Sequence, residues 1–128
     1  MNMNDLVKDV HENAKAHGWW DEGRSFGELI ALCHSELSEA LEEYRKGFDP
    51  TDTYYIGDNG VPVITETMQF VDADGTPEKP EGIPSELADV VIRIMDMCGH
   101  YGIDLEAAIL EKHEYNKTRP YKHGGKVI

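Results

Sequence analysis

The sequence predicts an all-α fold built on a four-helix core, with a long, hairpin-containing insert between the second and third helices. Three observations carry that prediction. Apolar residues recur at helical spacing in four separate stretches. Asn4, Ser25 and Asp104 stand where N-caps belong, and Pro84 suits a first turn. Gly18, Gly47 and Gly102 follow the last periodic residues, where a left-handed stop is wanted. At 128 residues the chain reads as one domain, 1–128, of a size that buries about two-thirds of the surface its unfolded chain exposes.

The first helix runs from its Asn4 cap through Leu6, Val7, Val10 and Ala14 to His17. Trp19 and Trp20 follow in the connection. Ser25 with Glu28 three residues on is a capping-box signature, and the helix it opens continues to Lys46, about 33 Å at 1.5 Å per residue. Phe48-Asp49-Pro50 closes it, because the residue before a proline is pushed out of the helical region.

Residues 49–83 differ in composition, being rich in proline and turn glycines. Tyr54–Ile56 and Val61–Ile64 around Gly57–Gly60 predict a short hairpin, with Pro62 confining the second strand to an edge. Met68–Val71 is a third candidate strand. Asp72, Asp74 and Gly75 resemble part of a calcium loop, but that alignment puts Phe70 where the first ligand must be, which argues against an EF-hand. An irregular stretch of this length between helices is usually functional or mobile.

The third helix starts at Pro84, with Ser85, Glu86 and Asp89 placing negative charge near its positive end, and runs to Tyr101. Its apolar arc is wide, since Ala88, Ile92 and Met95 extend it beyond one core contact. That width predicts burial against a partner subunit. Asp104 caps a fourth helix, with Leu105, Ala108, Ile109 and Leu110 as apolar content, ending near Asn116. A basic tail, 118–128, follows on an otherwise acidic chain.

The net charge of −13 argues against a nucleic-acid polymer as partner, because phosphate neutralisation needs clustered Lys and Arg. It suits a protein that collects divalent cations. No apolar run approaches the roughly 20 residues of a membrane span, and the first residues lack the basic and apolar regions of a signal peptide. The expected location is cytoplasmic, without membrane association. Cys33 and Cys98 fall on apolar stripes and read as reduced core thiols.

The chemistry is carried by two acidic brackets, Glu36-Leu-Ser-Glu39 and Glu86-Leu-Ala-Asp89. Residues three apart on a helix share a face. Glu36 and Glu39 flank the stripe Phe26, Leu29, Ile30, Cys33, Leu37, Ala40, Leu41 and Tyr44. Glu86 and Asp89 flank the stripe Leu87, Val90, Val91, Ile94, Cys98 and Tyr101 at nearly the same angle. If the stripes share a core, four carboxylates line one groove. Two like charges about 4 Å apart cost about 4 kcal/mol at an effective dielectric of 20, so such a cluster wants a cation. Carboxylates are hard ligands, which selects Mg²⁺ or Mn²⁺, with Ca²⁺ third. Solvated helix faces are the ordinary place for acids, and the repeated bracket at a matched offset is what weighs against that here.

The pattern E-x-x-E, E-x-x-D and K-x-x-x-N-x-x-R, carried by Glu36, Glu39, Glu86, Asp89, Lys112, Asn116 and Arg119, resembles the MazG-like nucleotide pyrophosphohydrolases. The resemblance covers roughly residues 15 to 123. It implies a MazG-like four-helix core completed by homodimerisation or a dimer of dimers. It also implies Mg²⁺ held by the four acids, and hydrolysis of a nucleoside triphosphate to the monophosphate and pyrophosphate, a sanitation role in the nucleotide pool being one use. Many members carry a double acid at the start of the first motif, where this chain has Ser35, so Glu36 and Glu39 both stand as the candidate catalytic carboxylates.

A triphosphate can approach so acidic a protein only with metal between carboxylates and phosphate oxygens. Lys112, Asn116 and Arg119, assisted by Lys122 and Lys126, are the candidate phosphate-binding groups. The ordinary alternative for them is a cationic turn answering the helix dipole, worth about 0.3 to 1 kcal/mol. Trp19 and Trp20 are candidates for stacking a nucleobase, the alternative being a core plug. His34, His100 and His113 stand in no E-x-x-H spacing, which argues against a di-iron bundle. Two readings compete with the pyrophosphohydrolase: a non-catalytic helical dimerisation or regulatory module that binds a divalent ion structurally, and phosphoribosyl-ATP pyrophosphatase activity.

Overall fold

The computed structural model of the chain describes residues 1–57, 59–65 and 78–121. Their order is α1 (Met3–Ala16), α2 (Phe26–Arg45), β1 (Thr53–Ile56), β2 (Pro62–Thr65), α3 (Ile83–Tyr101) and α4 (Leu105–Lys117). The described residues are therefore mostly helical, with one small antiparallel sheet among them in the insert. The third candidate strand and the calcium-like segment lie outside the described residues. By compactness the chain divides into residues 22–94 and residues 1–21 together with 95–128. Helix α3 contributes its N-terminal part to the first of these units and its C-terminal part to the second.

In the unit of residues 22–94, the Ser25 hydroxyl accepts the Glu28 backbone N–H at 3.1 Å and starts α2 where the sequence places it. The hairpin pairs Thr53 with Thr65 and Ile56 with Pro62, so Pro62 ends the ladder. On its other side, Tyr54 exchanges both backbone hydrogen bonds with Glu81, at 3.1 and 2.9 Å. That bridge returns the chain to the start of α3. Gly82, at φ +111°, follows so closely that a Cβ there would run into the Asp52 carbonyl. Leu29, Ala40, Tyr54, Tyr55 and Ile83 form the buried apolar set, and Phe48 stacks on Tyr54 at 4.2 Å between ring centroids.

In the other unit, α1 is capped by Asn2 and not by Asn4 as the sequence predicts. Asn2 accepts the Asp5 N–H at 2.8 Å, and its own N–H donates back to the Asp5 carboxylate at 3.2 Å. Asn4 serves a distant partner: its amide donates to Asp104 at 2.9 Å and accepts the Glu106 N–H at 3.3 Å, tying α1 to the start of α4. Val7, Met95, Met97 and Cys98 are buried. Gly99 lets α3 approach α1, since a Cβ there would lie 2.6 Å from the His11 Cβ.

The expected stripes are only partly covered. On α2, Leu29 and Ala40 are buried, yet Phe26, Leu37, Leu41 and Tyr44 are exposed, Leu37 at 53%. On α3, Leu87, Val91 and Tyr101 are exposed, as is Ile92 of the wider arc. None of the apolar residues of α4 is buried. No side chain among the described residues is wholly enclosed. Cys33 and Cys98 are free thiols, and burial pushes both pKa values up from the usual thiol value. No helix among the described residues is long and apolar enough to cross a membrane.

Candidate functional site

The acidic brackets meet within the unit of residues 22–94. A carboxylate oxygen from each of Glu36, Glu86 and Asp89 lies within 4.8 Å of the others. Helical spacing explains why: Glu86 and Asp89 are a turn apart on α3, and Glu36 reaches them from α2. Glu39, one turn along α2 from Glu36, is exposed and does not join this set at that distance. Its charge is nonetheless felt, helping to raise both Glu86 and Asp89.

The electrostatics are those of crowded acids. Glu86 is pushed above the usual carboxylate range first by loss of surrounding water and then by the charges of Asp89, Glu39, Glu36 and Glu43. Asp89 is raised by the same loss of water and by Glu36, while Arg93 and Lys79 pull it back down. Like charges held this close disfavour ionisation of one another.

Two neighbours of the set go beyond the sequence motif. Glu43 is 5% exposed, and the Tyr54 hydroxyl lies 2.8 and 3.1 Å from its two oxygens. With Glu81 and Glu86 it forms a second group whose carboxylate oxygens fall within 4.8 Å, so Glu86 belongs to both groups. Lys79 approaches Glu81 at 3.3 Å. Arg93, in turn, donates from Nε to an oxygen of Glu36 at 2.8 Å, and its Nη2 lies 2.8 Å from the same oxygen.

Spacing could have found two of these residues. Glu43 is seven positions after Glu36, and Arg93 is seven after Glu86 and four after Asp89, so each shares a helical face with the motif. Glu81 carries no such signal, because it sits among the prolines of the insert and arrives through the bridge to Tyr54.

The other candidates belong to the unit formed by residues 1–21 and 95–128. Lys112 and Asn116 are on α4, where the Lys112 ammonium lies 5.1 Å from the Tyr115 ring centroid. Arg119 lies beyond the end of that helix, and its backbone N–H bonds the Asn116 carbonyl at 3.2 Å. Lys122 and Lys126 lie outside the described residues. The Trp20 indole stacks on His100 with centroids 3.9 Å apart and donates its N–H to Asp96 at 2.9 Å. His11 meets the same Asp96 oxygen at 2.7 Å. A base stacking on Trp20 would have to use the face that His100 does not cover. Trp19 is half-buried beside it in the sequence.

The donors are all carboxylate oxygens, three of them converging, with the pKa values of Glu86 and Asp89 raised. That set fits a hard divalent cation such as Mg²⁺ or Mn²⁺, and Glu36, Glu86 and Asp89 are the residues that would hold it. Comparison with protein-family models, with curated proteins and with solved structures finds no match for this chain.

Proposed function

We propose that the protein is a Mg²⁺-dependent pyrophosphohydrolase of the MazG-like type, which hydrolyses a nucleoside triphosphate to the monophosphate and pyrophosphate. One observation carries the reading: Glu36 of the first bracket converges with Glu86 and Asp89 of the second. The ion, when bound, supplies positive charge against phosphate oxygens, which carboxylates alone would repel. Glu36 has one oxygen committed to Arg93, so Glu39, exposed and a turn away, is the better placed carboxylate to orient water and take its proton. The water oxygen bonds to the α-phosphorus as the bond to the bridging oxygen breaks, and pyrophosphate leaves. Lys112, Asn116, Arg119 and Lys122 are the proposed cations and donors for the leaving group, and Trp19 and Trp20 the proposed base contacts.

A second copy of the chain belongs to the same proposal. The exposed faces of α2 and α3 are the ones the sequence expects to be covered, and a homodimer covers them isologously.

Product identity tests the function. With Mg²⁺, a panel of canonical and modified triphosphates should yield monophosphate and pyrophosphate, and Glu39→Gln should lower turnover by orders of magnitude while keeping the circular dichroism spectrum. Release of orthophosphate, or no turnover across the panel with Mg²⁺ or Mn²⁺, would refute it. Phosphoribosyl-ATP belongs in the panel, because that activity would differ only in substrate.

A further inference from the structure

The face of α3 that carries Glu86 and Asp89 also carries Arg93, which is hydrogen-bonded to Glu36 of the converging set. Its position is not that of an ordinary surface ion pair. The guanidinium is 29% exposed and Glu36 19%, so both ends are half-buried; Nε donates to one carboxylate oxygen at 2.8 Å, and Nη2 lies 2.8 Å from the same oxygen. An exposed pair of this kind contributes little to stability. A half-buried guanidinium that meets one carboxylate oxygen with two nitrogens of one edge does something else: it holds that oxygen in place, because the planar fork is preorganised.

We infer that Arg93 is a positioning residue for the cation site, clamping one oxygen of Glu36 so that the carboxylate is presented in a fixed orientation alongside Glu86 and Asp89. This rests on the proposed site and deepens it, since it assigns the order of the carboxylate cluster to a residue outside the acidic motif. Groups that orient metal ligands are commonly worth about 10- to 100-fold in metal affinity. The opposite effect must be weighed, because a guanidinium beside a cation also repels it. Removing the charge therefore tests two things at once, whereas Arg93→Lys keeps the charge and loses the two-pronged geometry.

The experiment is Mn²⁺ binding by the full chain, read from the free-ion electron paramagnetic resonance signal, with circular dichroism to confirm folding. Arg93→Lys is expected to weaken binding by about tenfold, within the range cited for such partners. In a Glu36→Gln background the same change is expected to do nothing further, as coupling through one contact requires. Unchanged Mn²⁺ affinity in Arg93→Lys, even with a lowered melting temperature, overturns the inference and leaves a charge or packing role. An equal loss with and without Glu36 overturns it too, because the effect then does not pass through that carboxylate. If the unaltered chain binds no Mn²⁺, the proposed site itself falls, an outcome distinct from the other two.

Discussion

Tyr54 and Glu43 are the most consequential side-chain pair outside the motif, because a carboxylate 5% exposed has no water to fall back on. The phenol is its hydrogen-bond donor, and the phenol's own pKa is pushed well up by burial and then by that bond. Removing one partner of a buried bond leaves the other unsatisfied, at about 1 to 3 kcal/mol or more for a charged group. Tyr54→Phe is therefore expected to lower the unfolding free energy by that amount, read as a lower urea midpoint at unchanged slope. Glu43→Gln, which keeps an acceptor for the hydroxyl and removes a charge from the crowd around Glu86, is expected to be much milder. Equal losses would mean that Glu43 is held by packing and not by its hydrogen bond. The pair was invisible in the sequence for a physical reason. Glu43 reads as one more acid on an acid-rich helix, and what buries it is the hairpin, whose placement depends on Glu81 pairing with Tyr54 across a segment without periodicity.

Element boundaries were far more legible, because they depend on groups close in sequence. Ser25 and Asp104 cap the helices they precede, and Gly18, Gly47 and Gly102 all have positive φ just past helix ends. The turn glycines around 57–60 placed the hairpin correctly for the same reason. Asn4 is the instructive failure: two asparagines compete for one cap, and the loser is bound to Asp104, a hundred residues away, which no local rule can see. That link makes α4 sensitive to acid. The Asp104 carboxyl lies below the usual carboxylate range, first because it accepts from Asn4 and then because it accepts the Ala107 N–H. Its folded-state value is thus lower than its unfolded one, so its contribution to stability is present above the unfolded value of about 3.9 and is lost as pH falls through the folded value. Asp104→Asn retains a capping oxygen and cannot titrate. Melting temperatures measured from neutral pH down to about pH 3 should fall more steeply for the natural chain than for this variant below pH about 4, and parallel curves would remove Asp104 from the account of acid unfolding.

For the whole molecule, the question is what covers the apolar surface that one chain leaves in water. Leu37, Leu41 and Tyr44 recur four and three residues apart on α2, and Leu87 and Val91 four apart on α3, so each set forms one helical face. All are exposed, Leu41 at 52%. Burying such a side chain completely is worth about 1.5 to 3 kcal/mol, so covering even part of these faces offers several kcal/mol toward association, against an entropic cost of about 4 kcal/mol or more. A standard interface takes about 800 Å² from each partner, and these two faces are what the chain offers toward it. The chain should therefore sediment as a dimer or a dimer of dimers at micromolar concentration, with a melting temperature that rises with concentration. Leu41→Glu is the sharp test, because the position is half in water within a single chain and the change costs that chain little, while in a dimer it buries a charge. The variant is expected to sediment as a folded monomer. If it stays a dimer with an unchanged melting temperature, association does not use this face of α2. If the natural chain is a monomer at about 100 times the protein concentration used for the first measurement, roughly 2.7 kcal/mol of added driving force, the second-copy proposal fails and these faces belong to a different partner.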